Sequence, residues 1–510
     1  MKEVIMKEEL KKLMVEAIDL LCDSVASTLG PSGNNVLINT DDTTPYITND
    51  GVTIANAIES NDKRINTILE IAKEASLKTN EEVGDGTTTT LVLLQSLIHK
   101  GLKEIEKGKN PIILKQELNE ALEQTITELN NLKKKPTNKD LENVAINSSE
   151  DEEVGKLLTE IYLKMGSRYA CRLEESNTDK TYYDIKKGYN LEIDNIPSIY
   201  FTDSKEINLK DSYILLLKGY LNDLEVISDI INEGLDRCKN IVILAEDYDI
   251  EVERDIILYY LQEHKNIYLF KLPDYASRKE AIASDIASLT NSKIRNINLE
   301  RISFNDLGKV TVNITKNELT IVSDNDIKNK LNILKDELKE ITDDYEKEFL
   351  QARISKLENG VATIYVGGKT KSEIREKLMH YEDALYALET ANFGITIGEG
   401  ISFLKVIDKI SLNTDGANIL KDSLELPFKK IMDNSAQDSQ KIKNEIIKNK
   451  YSKIYNLKIK ELEDVKDTSI IDPIRVITTA LKNAVSISSL LLTTQYLVIN
   501  DTIKIEKPVL

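Results

Sequence analysis

A glycine-rich turn followed by four threonines is the part of the sequence best suited to chemistry. Residues 84–90 have the sequence Gly-Asp-Gly-Thr-Thr-Thr-Thr, and an apolar run begins at Leu91. If the chain is helical from Leu91 onward, the threonine N–H groups lie at a helix N-terminus, where unpaired donors and the helix dipole favour an anion. Asp85 is a hard oxygen ligand of the kind that a phosphate-bound Mg²⁺ prefers. The segment therefore indicates a phosphate site, with a turn that leads into a threonine-rich strand as the simpler alternative.

Two further loops of similar composition precede this segment. A helical pattern over residues 7–28 ends at Thr28-Leu29-Gly30-Pro31, and Asn49-Asp50-Gly51 lies between two short apolar runs. Each loop has an ordinary explanation on its own, because Gly-Pro commonly ends a helix and Asp-Gly commonly forms a hairpin turn. Their order and spacing relative to residues 84–90 carry more information than either loop does alone.

Together the three loops resemble the nucleotide site of the chaperonins, and the resemblance extends over most of the chain. Two later blocks also match the family, one at residues 381–385 with 394–400 and one at residues 471–473. Residues 243–247 and 277–290 resemble the apical domain of the bacterial, group I (GroEL-type) proteins. No insertion long enough for the helical lid of the archaeal and eukaryotic group is evident. The chain is thus identified as a divergent member of the group I chaperonin large subunits.

The resemblance implies an α+β multidomain chaperonin fold. We expect a mostly helical equatorial domain at 1–131 and 395–510, a small intermediate domain at 132–187 and 362–394, and an α/β apical domain at 188–361.

The sequence pattern also favours an α/β unit in the middle of the chain. Short apolar runs alternate there with helical segments, as in a unit with a central sheet, and the runs are 213–217, 241–245 and 267–270. A charged helical stretch over 326–357 is expected to bend near Asp343-Asp344. At the end of the chain, residues 496–499 and 502–505 predict a terminal hairpin.

The resemblance further implies roles for single residues. Asp85 would carry Mg²⁺, with K⁺ as a further candidate cation, and Asp50 and Asp383 would flank the water that attacks the γ-phosphate of ATP. The phosphates would be held by Thr28, Leu29, Gly30, Pro31, Asn49, Asp85, Gly86, Thr87, Thr88 and Thr89. The adenosine would contact Gly398, Glu399, Asn456, Leu457 and Asp472.

Two of these acids have simpler explanations, and two positions depart from the family. Asp383 lies in a helical pattern, where an isolated carboxylate usually only faces solvent. Asp472 before Pro473 is an ordinary helix start, with the acid as N-cap. Asn49 stands where the bacterial proteins usually have lysine, and Glu399 stands in a run that is normally glycine. Weakened nucleotide binding or hydrolysis is therefore an open alternative.

Two amphipathic segments in the middle of the chain bear on partners. Residues 221–235 carry a second apolar stripe, Val226 and Ile230, which we expect to be exposed, and residues 256–261 are apolar on all sides. Exposed apolar patches commonly mark binding sites. The family binds unfolded client proteins and a GroES-type co-chaperonin lid here, and the matching residues are Ile196, Ser198, Tyr200, Phe201, Ser228, Ile231, Glu253, Ile257 and Leu258. Ser228 and Glu253 replace residues that are typically apolar.

Composition excludes several classes of function. The 510 residues include 86 acidic and 67 basic side chains, a formal net charge of −19, which disfavours nucleic-acid binding. Three scattered cysteines, Cys22, Cys171 and Cys238, predict neither a disulfide framework nor a metal cluster. No apolar run approaches twenty residues, so we expect no membrane span and a cytoplasmic location.

The sequence therefore predicts an ATPase that acts as a molecular chaperone. It would capture non-native proteins and enclose them in a homo-oligomeric ring, expected to be a double heptamer. The first alternative is a chaperonin-like ring or scaffold that holds clients with weak or no ATP hydrolysis. An ordinary monomeric ATPase or kinase is a more distant alternative, because the functional segments lie at both ends of the chain.

Overall fold

The chain forms two units, of which the first is built from both ends of the sequence. The computed structural model describes residues 2–39, 45–149, 151–166, 171–186, 188–193, 196–201, 206–237, 240–263, 266–274, 276–297, 299, 301–315, 318–323 and 325–500. The first unit is Met1–Glu160 with Gly368–Leu510, and the second is Ile161–Gly367. The finer division into equatorial, intermediate and apical domains stays a prediction.

The N-terminal segment is mainly helical. Its elements are β1 (Lys2–Met6), α1 (Lys7–Ala26), β2 (Val36–Ile38), β3 (Tyr46–Thr48), α2 (Gly51–Ala57), α3 (Lys63–Val83), α4 (Thr87–Glu106), α5 (Pro111–Asn130), α6 (Asn138–Ser149) and α7 (Glu152–Met165). In α1, apolar residues recur every three or four positions, so Leu10, Met14 and Leu21 share one buried face. The predicted helix over 7–28 is confirmed, and the threonine run begins α4, which excludes the strand alternative.

The second unit is an α/β structure with a mixed central sheet. Its elements are β4 (Cys171–Glu175), β5 (Tyr182–Lys186), β6 (Tyr189–Glu192), β7 (Glu206–Leu221), α8 (Glu225–Arg237), β8 (Asn240–Tyr248), α9 (Ile250–Glu263), β9 (Asn266–Lys271), α10 (Ala276–Thr290), β10 (Ile294–Asn296), β11 (Gly308–Thr315), β12 (Glu318–Val322), α11 (Lys328–Glu340), α12 (Asp344–Asn359) and β13 (Val361–Val366). The main sheet has the order β6-β12-β11-β7-β8-β9, with β10 beside β7, and a smaller sheet has the order β4-β13-β5. The α/β prediction for the middle of the chain is confirmed.

The central strands are buried on both faces, which explains their unbroken apolar sequences. Along β8, Val242 and Leu244 belong to one hydrophobic cluster with Ile286 of α10. The alternate residue Ile243 belongs to the opposite cluster with Ile227 of α8. Parallel strands covered by helices on both faces lack a polar side, so their sequences are apolar runs instead of alternating patterns.

The predicted bend in the charged helical stretch is also confirmed. Helix α11 ends at Glu340 and α12 begins at Asp344. Asp343 is the N-cap of α12, and its side chain accepts a hydrogen bond from the N–H of Glu346. An Asp at this position satisfies a helix N–H that would otherwise lack a partner, so it starts a new helix where the pattern continues.

The C-terminal segment returns to the first unit. Its elements are α13 (Lys371–Ala391), β14 (Ile395–Ile397), α14 (Ile401–Ile407), α15 (Asp415–Leu424), α16 (Leu426–Asn434), α17 (Ser439–Lys448), β15 (Lys453–Asn456), β16 (Glu461–Asp464), β17 (Ile471–Pro473), α18 (Ile474–Leu492) and β18 (Tyr496–Asn500). The terminal hairpin is corrected in part: β18 pairs antiparallel with β1 at the other end of the chain. The predicted partner strand at 502–505 lies outside the described residues.

One hydrophobic core joins the two ends of the chain in the first unit. Leu481 and Val485 of α18 pack in it with Leu21 of α1 and Leu97 of α4. This core packs α4, whose N-terminus follows the glycine-rich turn, against α18, the helix that directly follows β17. Among the helices in the described part of the chain, none combines the length and the hydropathy that crossing a bilayer requires.

Candidate functional site

A cavity of about 470 Å³ in the first unit collects loops from both ends of the chain. This volume lies in the range of small-molecule and cofactor pockets. Every residue predicted to contact nucleotide or water lines it except Gly398 and Leu457. The lining consists of residues 28–31, 49–51, 85–89, 146–148, Met379, His380, Asp383, Glu399, Gly400, Phe403, Pro427, Ile431, Asn456, Lys458, 469–473, Val476, Ile477 and Ala480.

One wall of the cavity is an uncapped helix N-terminus. Helix α4 begins at Thr87, directly after Gly86, whose φ of 81° lies in the left-handed region that favours glycine. Within the described residues, no side chain caps this end of α4. The first N–H groups of a helix have no intrahelical acceptor, so those of residues 87–89 are available to a ligand. With the threonine hydroxyls beside them, they suit phosphate oxygens.

A second helix starts against these threonines. Asp50 is the N-cap of α2, and its carboxylate accepts hydrogen bonds from the N–H groups of Val52 at 3.3 Å and Thr53 at 2.7 Å. A Cβ added to Gly51 would lie only 2.5 Å from the Oγ1 of Thr88. The hairpin-turn alternative for residues 49–51 is therefore wrong. Glycine at position 51 allows α2 to approach the phosphate-facing threonines closely.

Three carboxyl groups that line the cavity have raised pKa values. Burial raises the pKa of Asp85, and the nearby charge of Asp50 raises it further. Burial also raises the pKa of Asp472 to about 7, with a contribution from Asp85. Burial raises the pKa of Glu399 to about 8, with contributions from Asp472 and Glu463. Acids with such shifts, gathered in one cleft, are typical of functional sites.

Asp472 is not a helix cap, in contrast to the simpler explanation of its sequence. It lies in β17 opposite Thr396 of β14. Helix α18 begins one residue later than that explanation requires, with Pro473 as its N-cap and no side-chain capping bond. Asp472 packs against Gly398 instead, where an added Cβ would lie 2.8 Å from the Oδ1 of Asp472. Gly398 thus shapes the wall of the cavity without lining it.

The predicted adenine contacts are placed differently from expectation. The Nδ2 of Asn456 donates to the Oε2 of Glu463 at 3.0 Å, and its Oδ1 accepts from the N–H of Lys458 at 2.9 Å. The side chain of Asn456 is therefore engaged within the β15–β16 pair, although the residue reaches the cavity. Leu457 is buried in a neighbouring hydrophobic cluster, so we correct the prediction that it contacts the ligand. Lys458 lines the cavity and was not predicted.

Asp383 lines the cavity from α13 and is half-buried. Its explanation as a carboxylate that only faces solvent therefore does not hold. His380 and Asn147 line the same cavity and were missed by the sequence analysis. His380 precedes Asp383 by three residues, a spacing that places two side chains on one helix face. The sequence therefore contains a signal that predicts His380 as a site residue. Asn147, whose Nδ2 donates to the carbonyl oxygen of Ser469 at 2.8 Å, carried no usable signal in the sequence.

The acids do not form a preassembled metal cage. Within the part of the chain that the structure describes, no group of three or more His, Cys, Asp or Glu side chains is arranged to hold a metal ion. A divalent ion at Asp85 would therefore take most of its oxygen ligands from phosphate and water. Mg²⁺ is commonly bound in this way, through one or two carboxylates plus substrate phosphates.

Comparison with known proteins identifies the family. The model of the TCP-1/cpn60 chaperonin family matches residues 21–255 and 222–502. The chain belongs to this chaperonin family. The family prediction made from the loops is thereby confirmed.

The fold of this chaperonin is also similar to solved structures. Chaperonin gp146 from the bacteriophage EL 2 (Pseudomonas aeruginosa), crystallised in the presence of ATP-BeFx, matches with a TM-score of 0.80 at 21% identity in crystal form I. Crystal form II matches with a TM-score of 0.78 at 20% identity. Each match covers 98% of this chain and 99% of the other. The predicted α+β chaperonin fold is confirmed, and the low identity fits a divergent member.

Three of the predicted client contacts in the second unit are buried. Ile196, Tyr200 and Ile231 are exposed by only 7%, 3% and 4%. Ile196 and Tyr200 pack in the cluster on one face of the main sheet, and Ile231 packs in the cluster on the other. We therefore correct the prediction that these side chains contact clients directly, because they belong to the core beneath the surface.

The remaining predicted contacts lie nearer the surface. Phe201 and Ile257 are half-buried at the edge of a core cluster, whereas Leu258 on α9 is 47% exposed. The exposed stripe of α8 is narrower than predicted, because Ile230 is buried and Val226 alone is exposed, at 47%. Helices α8 and α9 both pack on the same core cluster. Val226, Leu258 and Ile250, which is 60% exposed, are exposed apolar positions of this helical layer.

Proposed function

We propose that this chaperonin is an ATPase that couples hydrolysis to the capture and enclosure of non-native proteins. The observation that carries the proposal is the cavity of the first unit, which gathers an uncapped helix N-terminus, Asp85 and Asp383. Membership of the chaperonin family supports the chaperone role. The presence of ATP-BeFx with the similar phage chaperonin supports a nucleotide as the ligand.

Different residues of the cavity would have different roles in ATP hydrolysis. The N–H groups and hydroxyls of residues 87–89 would hold phosphate oxygens as hydrogen-bond donors. Mg²⁺ at Asp85 would neutralise charge on those oxygens. Phosphoryl transfer needs little covalent help from the protein, so the remaining task is to position a water and accept its proton. Because both oxygens of Asp50 accept N–H bonds as a helix cap, we assign proton acceptance to Asp383 and a supporting role to Asp50.

A ring or scaffold that holds clients without hydrolysis is the second candidate function. Two features favour it: Asn49 supplies no positive charge to the cavity, and Glu399 adds a carboxyl group to it. Phosphate release and nucleotide binding should be measured separately, with Mg²⁺ or with EDTA, in K⁺ or in Na⁺, and with or without a denatured client. Turnover that needs Mg²⁺ supports the ATPase. Client binding without turnover supports the scaffold, and absence of nucleotide binding contradicts the ATPase.

We further propose a homo-oligomeric ring in the cytoplasm, with a double heptamer and a GroES-type lid as its full assembly. Within the described residues, the pair β1–β18 is a sheet of two strands, so each strand has an outer edge whose backbone groups have no strand partner there. Val4 and Val498, which are paired in this sheet, are 52% and 58% exposed. The two-stranded pair β2–β3 likewise exposes Leu37 and Ile47. Strand edges flanked by exposed apolar side chains suit pairing with a neighbouring subunit.

Replacing both Val4 and Val498 with lysine is expected to prevent assembly of the subunits into a ring. Two buried charges at a subunit contact would weaken it, whereas the fold of the subunit would tolerate lysine at exposed positions. Native mass spectrometry at micromolar concentration measures the change from a large assembly to monomers. Ile333→Lys is the matched control, because Ile333 is 56% exposed on α11 of the second unit. Equal mass for the double variant and the wild type would show that this sheet is not a subunit contact.

Replacing both Val226 and Leu258 with serine is expected to weaken the capture of a denatured client by about tenfold. The reason is that burial of apolar area stabilises a complex by roughly 25 cal/mol per Å². The basal ATPase rate should stay unchanged, since both residues lie in the second unit and the cavity lies in the first. Light scattering of an aggregating client measures capture, with Ile333→Ser as the control. Unimpaired suppression of aggregation by the double variant would exclude this helical layer as the client surface.

A further inference from the structure

Glu399 holds a backbone conformation that suits glycine. It lies in the turn between β14 and α14, its φ is 54°, and the following Gly400 has a φ of 72°. A side chain in the left-handed region costs roughly 1–2 kcal/mol, because its Cβ approaches the backbone. Strained positions of this kind persist where the surrounding structure holds them, and they cluster at ligand sites. The carboxyl group of Glu399 is therefore kept at this turn at a cost to the fold.

One oxygen of this carboxyl group has no protein partner. The Oε2 of Glu399 is fully buried and makes no hydrogen bond to any of the described residues. The same side chain lines the cavity. A buried polar atom without a partner costs roughly 1–3 kcal/mol, and folded proteins seldom contain one without a reason. A donor on a ligand in the cavity would satisfy this oxygen.

The surroundings of Glu399 indicate which part of a ligand lies against it. Burial and the charges of Asp472 and Glu463 all raise its pKa, while Lys458 acts in the opposite direction. The carboxyl groups on this side of the cavity offer acceptor oxygens, which do not match the acceptor oxygens of a phosphate group. The donors that suit phosphate lie at the N-terminus of α4. An uncharged part of a nucleotide that carries O–H or N–H donors therefore fits beside Glu399.

We propose that Glu399 is a specificity-determining residue that accepts a hydrogen bond from an O–H or N–H donor of the nucleoside. The inference rests on the proposed function, since it requires a nucleotide in this cavity. The ribose hydroxyls and the amino group of adenine are the two sources of such a donor. We expect the ribose, because Asp472, whose carboxyl group lies beside Gly398, lines the same cavity as Glu399, and two carboxyl groups suit the two adjacent hydroxyls of a ribose.

Equilibrium binding to the full-length protein tests this role. The ligands are ATP, 2′-deoxy-ATP, 3′-deoxy-ATP and ITP, and the variants are Glu399→Ala and Glu399→Gln. Alanine should weaken ATP binding by about tenfold, the scale of one buried hydrogen bond, and should leave unchanged the binding of the deoxynucleotide that lacks the contacted hydroxyl. Glutamine should stay within about threefold of the wild type, because its amide oxygen still accepts a hydrogen bond. If Glu399→Ala binds ITP as tightly as the wild type does but binds the other three nucleotides more weakly, the donor is the adenine amino group.

Two results would overturn the inference. The first is that Glu399→Ala binds ATP as tightly as the wild type does. The second is that Glu399→Ala weakens the binding of all four nucleotides by the same factor. Glu399→Gly separates strain from contact, because glycine relieves the left-handed backbone but also removes the carboxyl group, so it should lose nucleotide discrimination while its melting temperature rises. If the wild type binds no nucleotide, the proposed function fails. If the wild type binds ATP and all variants match it, only the role of Glu399 fails.

Discussion

Replacing Asp383 with alanine is expected to slow ATP hydrolysis by about a hundredfold or more, the usual scale for loss of a positioned acid–base group. ATP binding should remain nearly intact, because the donors that suit phosphate lie on α4 and not on α13. Asp383 lines the cavity together with residues 85–89. Single-turnover phosphate release measures the chemical step, and equilibrium binding measured in parallel shows whether affinity changes.

The neighbouring residue provides a matched control for this prediction. Glu382 lies on the same helix, is exposed and is absent from the cavity lining, so Glu382→Ala should hydrolyse ATP at the wild-type rate. Asp383→Asn keeps the size of the side chain and removes its basicity, and it should be as slow as the alanine variant. A normal rate in Asp383→Asn would show that the carboxylate neither accepts the proton nor orients the water.

The local chemistry of the loops could be predicted from the sequence because it depends on short-range rules. The sequence predicts that the threonines lie at a helix N-terminus if the chain is helical from Leu91, with a threonine-rich strand as the alternative, and α4 begins at Thr87. The apolar runs of the middle segment likewise predict strands, since a strand buried on both faces has no polar side. The bend at Asp343 follows from an N-cap residue inside a helical pattern.

Burial could not be predicted in the same way, because it depends on which elements pack over a given face. The family resemblance predicts Tyr200 and Ile231 as client contacts at the surface, but both are in the core. The pattern of α8 shows two apolar stripes, but it does not show that the core also covers Ile230. The side chain of Asn456 likewise bonds to Glu463, which lies seven positions away and comes near only because β15 pairs with β16.

The acidic character of the cavity could be predicted only in part. Asp85 and Asp50 were placed together through the loops that carry them. The family resemblance implies that Asp472 contacts the adenosine, whereas the local sequence alone favours a helix cap, because Asp before Pro is a strong local signal. The pairing of β17 with β14 overrides that signal and directs the residue towards the cavity wall. Long-range pairing therefore decides against the helix cap, and Asp472 lies in the cavity lining that the resemblance implies.

Asp472→Asn is expected to stabilise the ligand-free protein at pH 8, although it removes a residue of the site. Burial raises the pKa of Asp472 from its ordinary value of 3.8 to about 7. The folded state therefore binds a proton more tightly than the unfolded state does. The stability that this proton provides is fully present below the unfolded pKa and is lost as the pH rises through the folded pKa. At about 1.4 kcal/mol for each pKa unit, the loss is on the order of 4 kcal/mol by pH 8.

Thermal unfolding of the wild type and the variant between pH 4 and pH 8 (roughly the span of these two pKa values) measures this effect. The melting temperature of Asp472→Asn should fall less than that of the wild type across the range, because asparagine does not ionise. Asp467→Asn is the control, since Asp467 is exposed and lies five positions earlier. Parallel curves for Asp472→Asn and the wild type would contradict the prediction.

Addition of Mg²⁺ and nucleotide at pH 8 should then raise the melting temperature of the wild type more than that of Asp472→Asn. An acid that destabilises the free fold and stabilises the complex is retained for binding, and this comparison measures both effects in one protein.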